Sequence, residues 1–278
     1  MVVFISADIE GVSTLVQPEQ ANVLEGSCSS SMYERSRKRM TEEIRAVMEG
    51  AYYAGAEHII VNDSHSRMIN FFPELLPEEG EYIQGSPKPL GMMQGIGQNV
   101  DCAFFIGYHA SAGTAHAVLD HTSNDRIYEV KLNGIGVGEF GLNLALAGHF
   151  NVPVVLVSGD NALVREAKVF QSQMETVVTK EGISRTAACC KHPTIVDGLL
   201  RDAAKHSIER VRSNAYEIYK VEPPITIEVS FLRTSHADMA QLIPGSFRTE
   251  GRIVRWKGED MESVYRTYRA MLALGSSV

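Results

Sequence analysis

Three apolar stretches of this 278-residue chain each run into side chains that can bind a metal or move a proton. Asp8 and Glu10 close VVFISADIE, His65 follows HIIVND, and His109 follows CAFFIGY. Alternate residues of a strand share a face, so Asp8 and Glu10 point one way and Ile9 the other. Two carboxylates placed like this repel unless a positive charge sits between them. A further acid, Glu139 in GVGEFGLN, stands at the start of a predicted helix, behind glycines that let backbone approach closely.

Two imidazoles and three carboxylates form a mixed nitrogen and oxygen donor set. It suits Zn²⁺ and could also hold Mn²⁺, Co²⁺ or Fe²⁺. Five protein ligands exceed what one open catalytic zinc takes. A bridging carboxylate would let them serve two ions roughly 3.5 to 4 Å apart, as in two-metal hydrolases. Asp8, on the first strand, is the natural bridge. Each residue also has an ordinary explanation. The acid pair could meet an Arg or Lys, the histidines could be satisfied core groups, and Glu139 could favour a helix N-terminus through the dipole. Their joint occurrence at equivalent strand ends is harder to explain by separate coincidences.

Other candidates have less context. His121 in VLDHTS follows His109 closely enough to reach the same pocket, or could be a loop histidine with no role; His116 has the same chemistry and is expected in solvent. Asp63 could accept a hydrogen bond from the His65 ring or merely form an Asx turn. Asp160 could cap the helix after it. His58, His149, His192, His206 and His236 have no comparable setting.

The elements that must position these groups form an α/β pattern. Apolar runs at 2–8, 58–63, 102–108 and 152–159 read as strands buried on both faces. They alternate with helical patterns, which predicts a largely parallel sheet flanked by helices. In such a sheet the C-terminal strand ends share one edge, where ligands collect. Met40, Ile44, Met48 and Ala51 recur at helical spacing, with Gly55 as terminator. Helices are also predicted over 138–150 and 160–170, and a long one from His192 to about Lys220. After Pro223 and Pro224 come a strand at 225–231, a short helix, a strand in GRIVRWKG and a closing helix. The organisation reads as a metal-binding catalytic part over 1–190 and a smaller α/β part over 191–278, which need not be a separate domain.

Composition narrows the function. A net charge of −8 with no basic stripe argues against nucleic acid. No apolar run approaches the roughly 18 residues of a membrane span, and the N-terminus lacks signal-peptide features, so a cytoplasmic location without membrane contact is expected. Cys28, Cys102, Cys189 and Cys190 show no CxxC spacing and read as free, mostly buried thiols. No GxSxG elbow or P-loop is present, and the GxGxxG spacing in GVGEFG (136–141) follows no predicted strand and reads as a turn, so a serine hydrolase, an NTPase or a dinucleotide enzyme is not proposed.

SADIEGVS, YERSRKRMTEE, VNDSHS, GYHASAGT and VGEFGLN together resemble, in order and spacing, the zinc-dependent D-aminopeptidases encoded with bacterial dipeptide-transport genes. The resemblance extends over nearly the whole chain. It implies zinc ligands at Asp8, Glu10, His65, His109 and Glu139, with Asp8 shared by two ions. It also implies a catalytic nucleophile at His121, a peptide substrate with an N-terminal D-residue such as D-Ala-D-Ala, and a large ring-shaped homo-oligomer, a decamer. AGTAHAVLDH is one residue longer than the family segment, and VLDHT is the part that matches. The expected function is thus a binuclear zinc aminopeptidase acting on short peptides. The alternatives are a two-metal hydrolase of another amide or a phosphoester, or a non-catalytic metal or peptide-binding protein.

Overall fold

The computed structural model describes residues 1–22, 29–97, 99–213 and 216–278. In chain order the elements are β1 (Val2–Ala7), α1 (Pro18–Ala21), α2 (Ser29–Tyr53), β2 (His58–Asp63), β3 (Glu81–Ile83), β4 (Cys102–Tyr108), β5 (Ile127–Leu132) and β6 (Ile135–Gly136). There follow α3 (Glu139–His149), β7 (Val154–Asp160), α4 (Asn161–Phe170), β8 (Glu175–Ser184), β9 (Ala187–Cys190) and α5 (Pro193–Arg212). The chain ends in β10 (Ile225–Phe231), α6 (Thr234–Ala240), β11 (Phe247–Glu250), β12 (Ile253–Gly258) and α7 (Met261–Gly275). None of these helices is long and apolar enough to cross a membrane.

Among the described residues two sheets form. The larger runs β3-β2-β1-β4-β7-β8-β9 and is parallel except for the final β8-β9 hairpin. The smaller runs β11-β12-β10-β5-β6 and is antiparallel throughout. The expected α/β class, a largely parallel sheet flanked by helices, is what the chain adopts.

The strand period of two divides the core. In β1, Val3, Ile5 and Ala7 pack towards α2 and α5, while Phe4 packs on the opposite face, with α3, α7 and the smaller sheet. Because β1, β2, β4 and β7 have both faces covered, their sequences read as continuous apolar runs. Helix α2 stops where predicted. Gly55 takes a left-handed φ of +89°, the Gly55 N–H bonds to the Tyr52 carbonyl and the Ala56 N–H to the Ala51 carbonyl, a glycine-closed helix end.

Several elements differ from the sequence expectation. The helix predicted from His192 to about Lys220 ends at Arg212, because the segment beyond it seats Tyr219 and Val221 against the core. Tertiary burial there outweighs helical periodicity. Strands β3, β5, β6, β8, β9 and β11 give little apolar signal in sequence, being short, polar or at sheet edges. Residues on both sides of 190 build both layers: β5 and β6 pair into the sheet of β10–β12, and α5 lies against α2. Of the cysteines, Cys28 lies outside the described residues. Cys102 is buried, whereas Cys189 is exposed and Cys190 half-buried on the edge strand β9, so "mostly buried" fails for that pair.

Candidate metal centre

Sheet order brings the candidate residues together. β1 lies between β2 and β4, and Ala7 is level with Asp63 on one side and Ile106 on the other. The three strands therefore end side by side, at the point where the chain crosses from one side of β1 to the other. Gly107 has a φ of +71° and lies against the Asp8 carbonyl, so closely that a Cβ has no room. The irregularity there seats Tyr108 in the core, stacked on Phe105 with ring centroids 4.8 Å apart, and His109 at the sheet edge. Glu139 enters as the first residue of α3.

Asp8, Glu10, His65, His109 and Glu139 are all buried, each less than 8 % exposed. The two oxygens of Asp8 face different histidines: Oδ1 is 3.4 Å from His65 Nδ1 and Oδ2 is 3.6 Å from His109 Nε2. Glu10 Oε2 lies 3.1 Å from His65 Nδ1. Glu139 Oε1 lies 3.4 Å from His109 Nε2 and 3.7 Å from His121 Nε2. Asp8 Oδ2 and Glu10 Oε2 are buried without a hydrogen-bond donor. Orphaned carboxylate oxygens are costly unless a cation meets them.

Each imidazole is oriented in one way. His65 Nε2 meets the Ala21 carbonyl at 2.9 Å, His109 Nδ1 the Ala110 carbonyl at 3.0 Å, and His121 Nδ1 the Leu119 carbonyl at 2.8 Å. A carbonyl only accepts, so the outer nitrogen carries hydrogen and the neutral ring turns its lone pair inward. Outer partners of this kind fix the tautomer of metal-binding histidines. Ligand atoms of Asp8, Glu10 and His109 lie within 4.8 Å of one another, as do those of His109, His121 and Glu139. The donor set fits a transition metal.

The charges tell the same story. Burial, reinforced by Glu10, pushes the Asp8 carboxyl up to about 7. Burial also opposes charge on Glu10 and Glu139, but His65 and His109 respectively pull them below the ordinary carboxylate value. His65 is raised well above the usual imidazole range and His109 up to about 10, since against burial the facing carboxylates win. The acids thus recruit protons onto the histidines when no other cation is present. A bound divalent ion would displace those protons. His121 goes the other way, lowered by burial and by His109, so its ring is neutral at pH 7.

Asp8, Glu10, His65 and Glu139 floor a cleft of about 360 Å³ whose other walls include Asn22, Ser66, Asn124, Arg126 and Arg185. His121 lines it, while His116 is exposed and bonds to the Ile183 carbonyl at 2.9 Å. Asp160 caps α4 through the Leu163 N–H and also holds the Val118 N–H. Asp63 does not reach the His65 ring. Its carboxylate accepts the backbone N–H groups of His65, as an Asx turn does, and of Asn70 and Phe71, while the outer nitrogen of the His65 ring meets the Ala21 carbonyl. The sequence reading missed the groups that brace the site. Glu166 accepts the Ser111 N–H at 2.9 Å, Glu43 the Ser13 N–H at 2.8 Å, and buried Lys180 holds the loop after Glu10. A lysine inside the strand-like VVTKEGIS was their one local signal.

An α/β sheet whose switch point gathers buried carboxylates and inward-facing imidazoles fits a metal-dependent enzyme. Comparison with known proteins narrows the class. Residues 1–270 match the peptidase family M55, D-aminopeptidase. The D-aminopeptidase of Bacillus subtilis (strain 168) is 32% identical over 277 residues, covering 99% of this chain and 97% of that protein. A solved structure, the Zn-dependent D-aminopeptidase DppA from Bacillus subtilis, a self-compartmentalizing protease, matches with a TM-score of 0.94 and 31% identity, covering 100% of this chain and 99% of that one. The chain belongs to the M55 D-aminopeptidase family, and it is a metal-dependent aminopeptidase.

Proposed function

We propose that the protein is a binuclear zinc enzyme that removes an N-terminal D-residue from short peptides such as D-Ala-D-Ala. The observation that carries this reading is Asp8, whose two oxygens face His65 and His109 separately while Oδ2 has no donor. Asp8 would then hold two ions. Glu10 and His65 would help to hold one, and His109 and Glu139 the other. Zinc is favoured by the mixed donor set and by the zinc dependence of DppA; Mn²⁺ or Co²⁺ would fit the same donors.

When bound, zinc would hold the free amine, polarise the scissile carbonyl and lower the pKa of water. The chain's own contribution begins with orientation: three backbone carbonyls fix three rings, so the inward nitrogens need no rearrangement. His121 stands apart from the five ligands. Its side chain is 21% exposed and lines the cleft, and its Nε2 carries a lone pair, so it can attack the carbonyl, or take a proton from the attacking water and then pass that proton to the leaving amine. The polar walls Asn22, Asn124 and Arg126 suit a small polar substrate.

The reading includes a ring-shaped homo-oligomer, a decamer, supported by the self-compartmentalizing character of DppA. It also includes a cytoplasmic location, supported by free Cys102, Cys189 and Cys190, which suit a reducing compartment.

The test is turnover of D-Ala-D-Ala, L-Ala-L-Ala and p-nitrophenyl phosphate by the purified protein, before chelation, after it and after zinc is restored. Cleavage of D-Ala-D-Ala that follows the metal is expected, with about two ions per chain. Turnover of the phosphoester alone would overturn the reading. Light scattering checks the assembly.

A further inference from the structure

Lys180 on β8 is fully buried, and no step above uses it. Its Nζ donates to three backbone carbonyls: Glu10 at 2.5 Å, Val12 at 2.8 Å and Leu15 at 2.5 Å. An ammonium has three N–H groups, so all three are committed to one loop. The neighbouring Thr179 Oγ1 donates to the Gly11 carbonyl at 2.6 Å, and from the other side Glu43 of α2 accepts the Ser13 N–H at 2.8 Å.

This loop is neither helix nor strand, yet most of it is buried. Its carbonyls turn inward, where each would be costly if left unpaired. Removing a lone ammonium from water is costly as well, and Lys180 lies in such a place only because the carbonyls compensate it. The loop begins at Glu10, whose Oε2 meets His65 Nδ1 at 3.1 Å, with His109 farther off though within 4.8 Å. A backbone held at residue 10 fixes where that carboxylate begins.

We propose that Lys180, assisted by Thr179, is a positioning residue for Glu10. It clamps residues 10–15 so that Glu10 serves the ion shared with Asp8 and His65, and leaves the ion of Asp8, His109 and Glu139 unaffected. The inference rests on the two-ion reading above.

The experiment titrates Zn²⁺, in competition with a chelating indicator, into metal-stripped full-length protein in its assembled state. The unaltered protein is expected to show two binding steps; a single step would overturn the two-ion reading and the selectivity with it. Lys180→Met should leave one step unchanged and weaken the other by about 10- to 100-fold, the range for partners that orient a ligand. Co²⁺ in place of Zn²⁺ should show altered absorption for that one site. Two unchanged steps, or two steps weakened alike, overturn the proposal. Thr179→Val, nearly isosteric, should weaken the same step by a smaller factor, and it decides the matter if Lys180→Met does not fold. Ile208→Ala, a cavity in the core beneath α5, should lower stability and keep both steps. If it weakens the same step, the Lys180 effect is general loosening and the proposal falls.

Discussion

His109 and His121 stack face to face, with ring centroids 4.0 Å apart and planes within 10°. Both donate Nδ1–H to a backbone carbonyl, and both turn Nε2 to the same oxygen of Glu139. They differ in access: His109 is buried and His121 opens to the cleft. On the proposed reading, that difference would separate a ligand from a group able to reach substrate.

His121→Ala should therefore keep its metal and lose its chemistry. The expected fall in kcat is about 10²- to 10⁴-fold, the usual worth of a positioned acid or base. Metal content, measured on the same sample, should match the unaltered protein. A variant that loses metal in step with activity would make His121 a ligand.

Asp8 and Glu10 should differ in a metal count. Because Asp8 has an oxygen within 3.6 Å of each histidine while Glu10 comes that close only to His65, Asp8→Ala should lose about two ions and Glu10→Ala about one. Elemental analysis after gel filtration checks this. Equal losses would remove the bridging role from Asp8.

Glu43 gives a pH dependence away from the candidate metal ligands. Its carboxyl is raised above the ordinary 4.5 by burial, against the pull of Arg39. The folded state then holds this proton more tightly than the unfolded one, so stability falls as pH rises above 4.5 towards the folded value. Glu43→Gln should lose less stability over that window. Parallel denaturant titrations of the two proteins at several pH values would show it, and identical slopes would contradict it.

Asn143 links layers that share no backbone pairing. Its Nδ2 donates to Tyr108 Oη at 2.9 Å, and its Oδ1 accepts from Tyr265 Oη of α7 at 2.7 Å. Asn143→Ala leaves buried hydroxyl groups without these partners, at a cost of about 1 to 3 kcal/mol for such a group. The shift in the denaturation midpoint measures it. Loss of less than about 0.5 kcal/mol would mean that the hydroxyls find other partners.

The central strands were legible because burial on both faces demands apolar runs, and VVFISA, HIIVND, CAFFIGY and VVLVSGD supply them. The edges were not. Cys189 and Cys190 in β9, or Phe247 in β11, carry no pattern that separates an edge strand from a loop. The end of α5 was misjudged for a related reason: periodicity continues past Arg212, while the burial of Tyr219 that ends the helix depends on distant residues such as Phe170, at 5.5 Å between centroids.

By itself the sequence determined the α/β class and pointed to the candidate site residues, since strand alternation and strand-end position are local properties. Tertiary structure decided what those residues face. Only the order β2-β1-β4 sets Asp8 between His65 and His109. Only the fold assigns the His65 ring to Ala21 and not to Asp63, puts His121 in the cleft and His116 outside it, and carries Lys180 from β8 to the loop after Glu10. Those relationships span up to 170 residues of sequence, and hydrogen bonds over such distances leave no periodic trace in the chain.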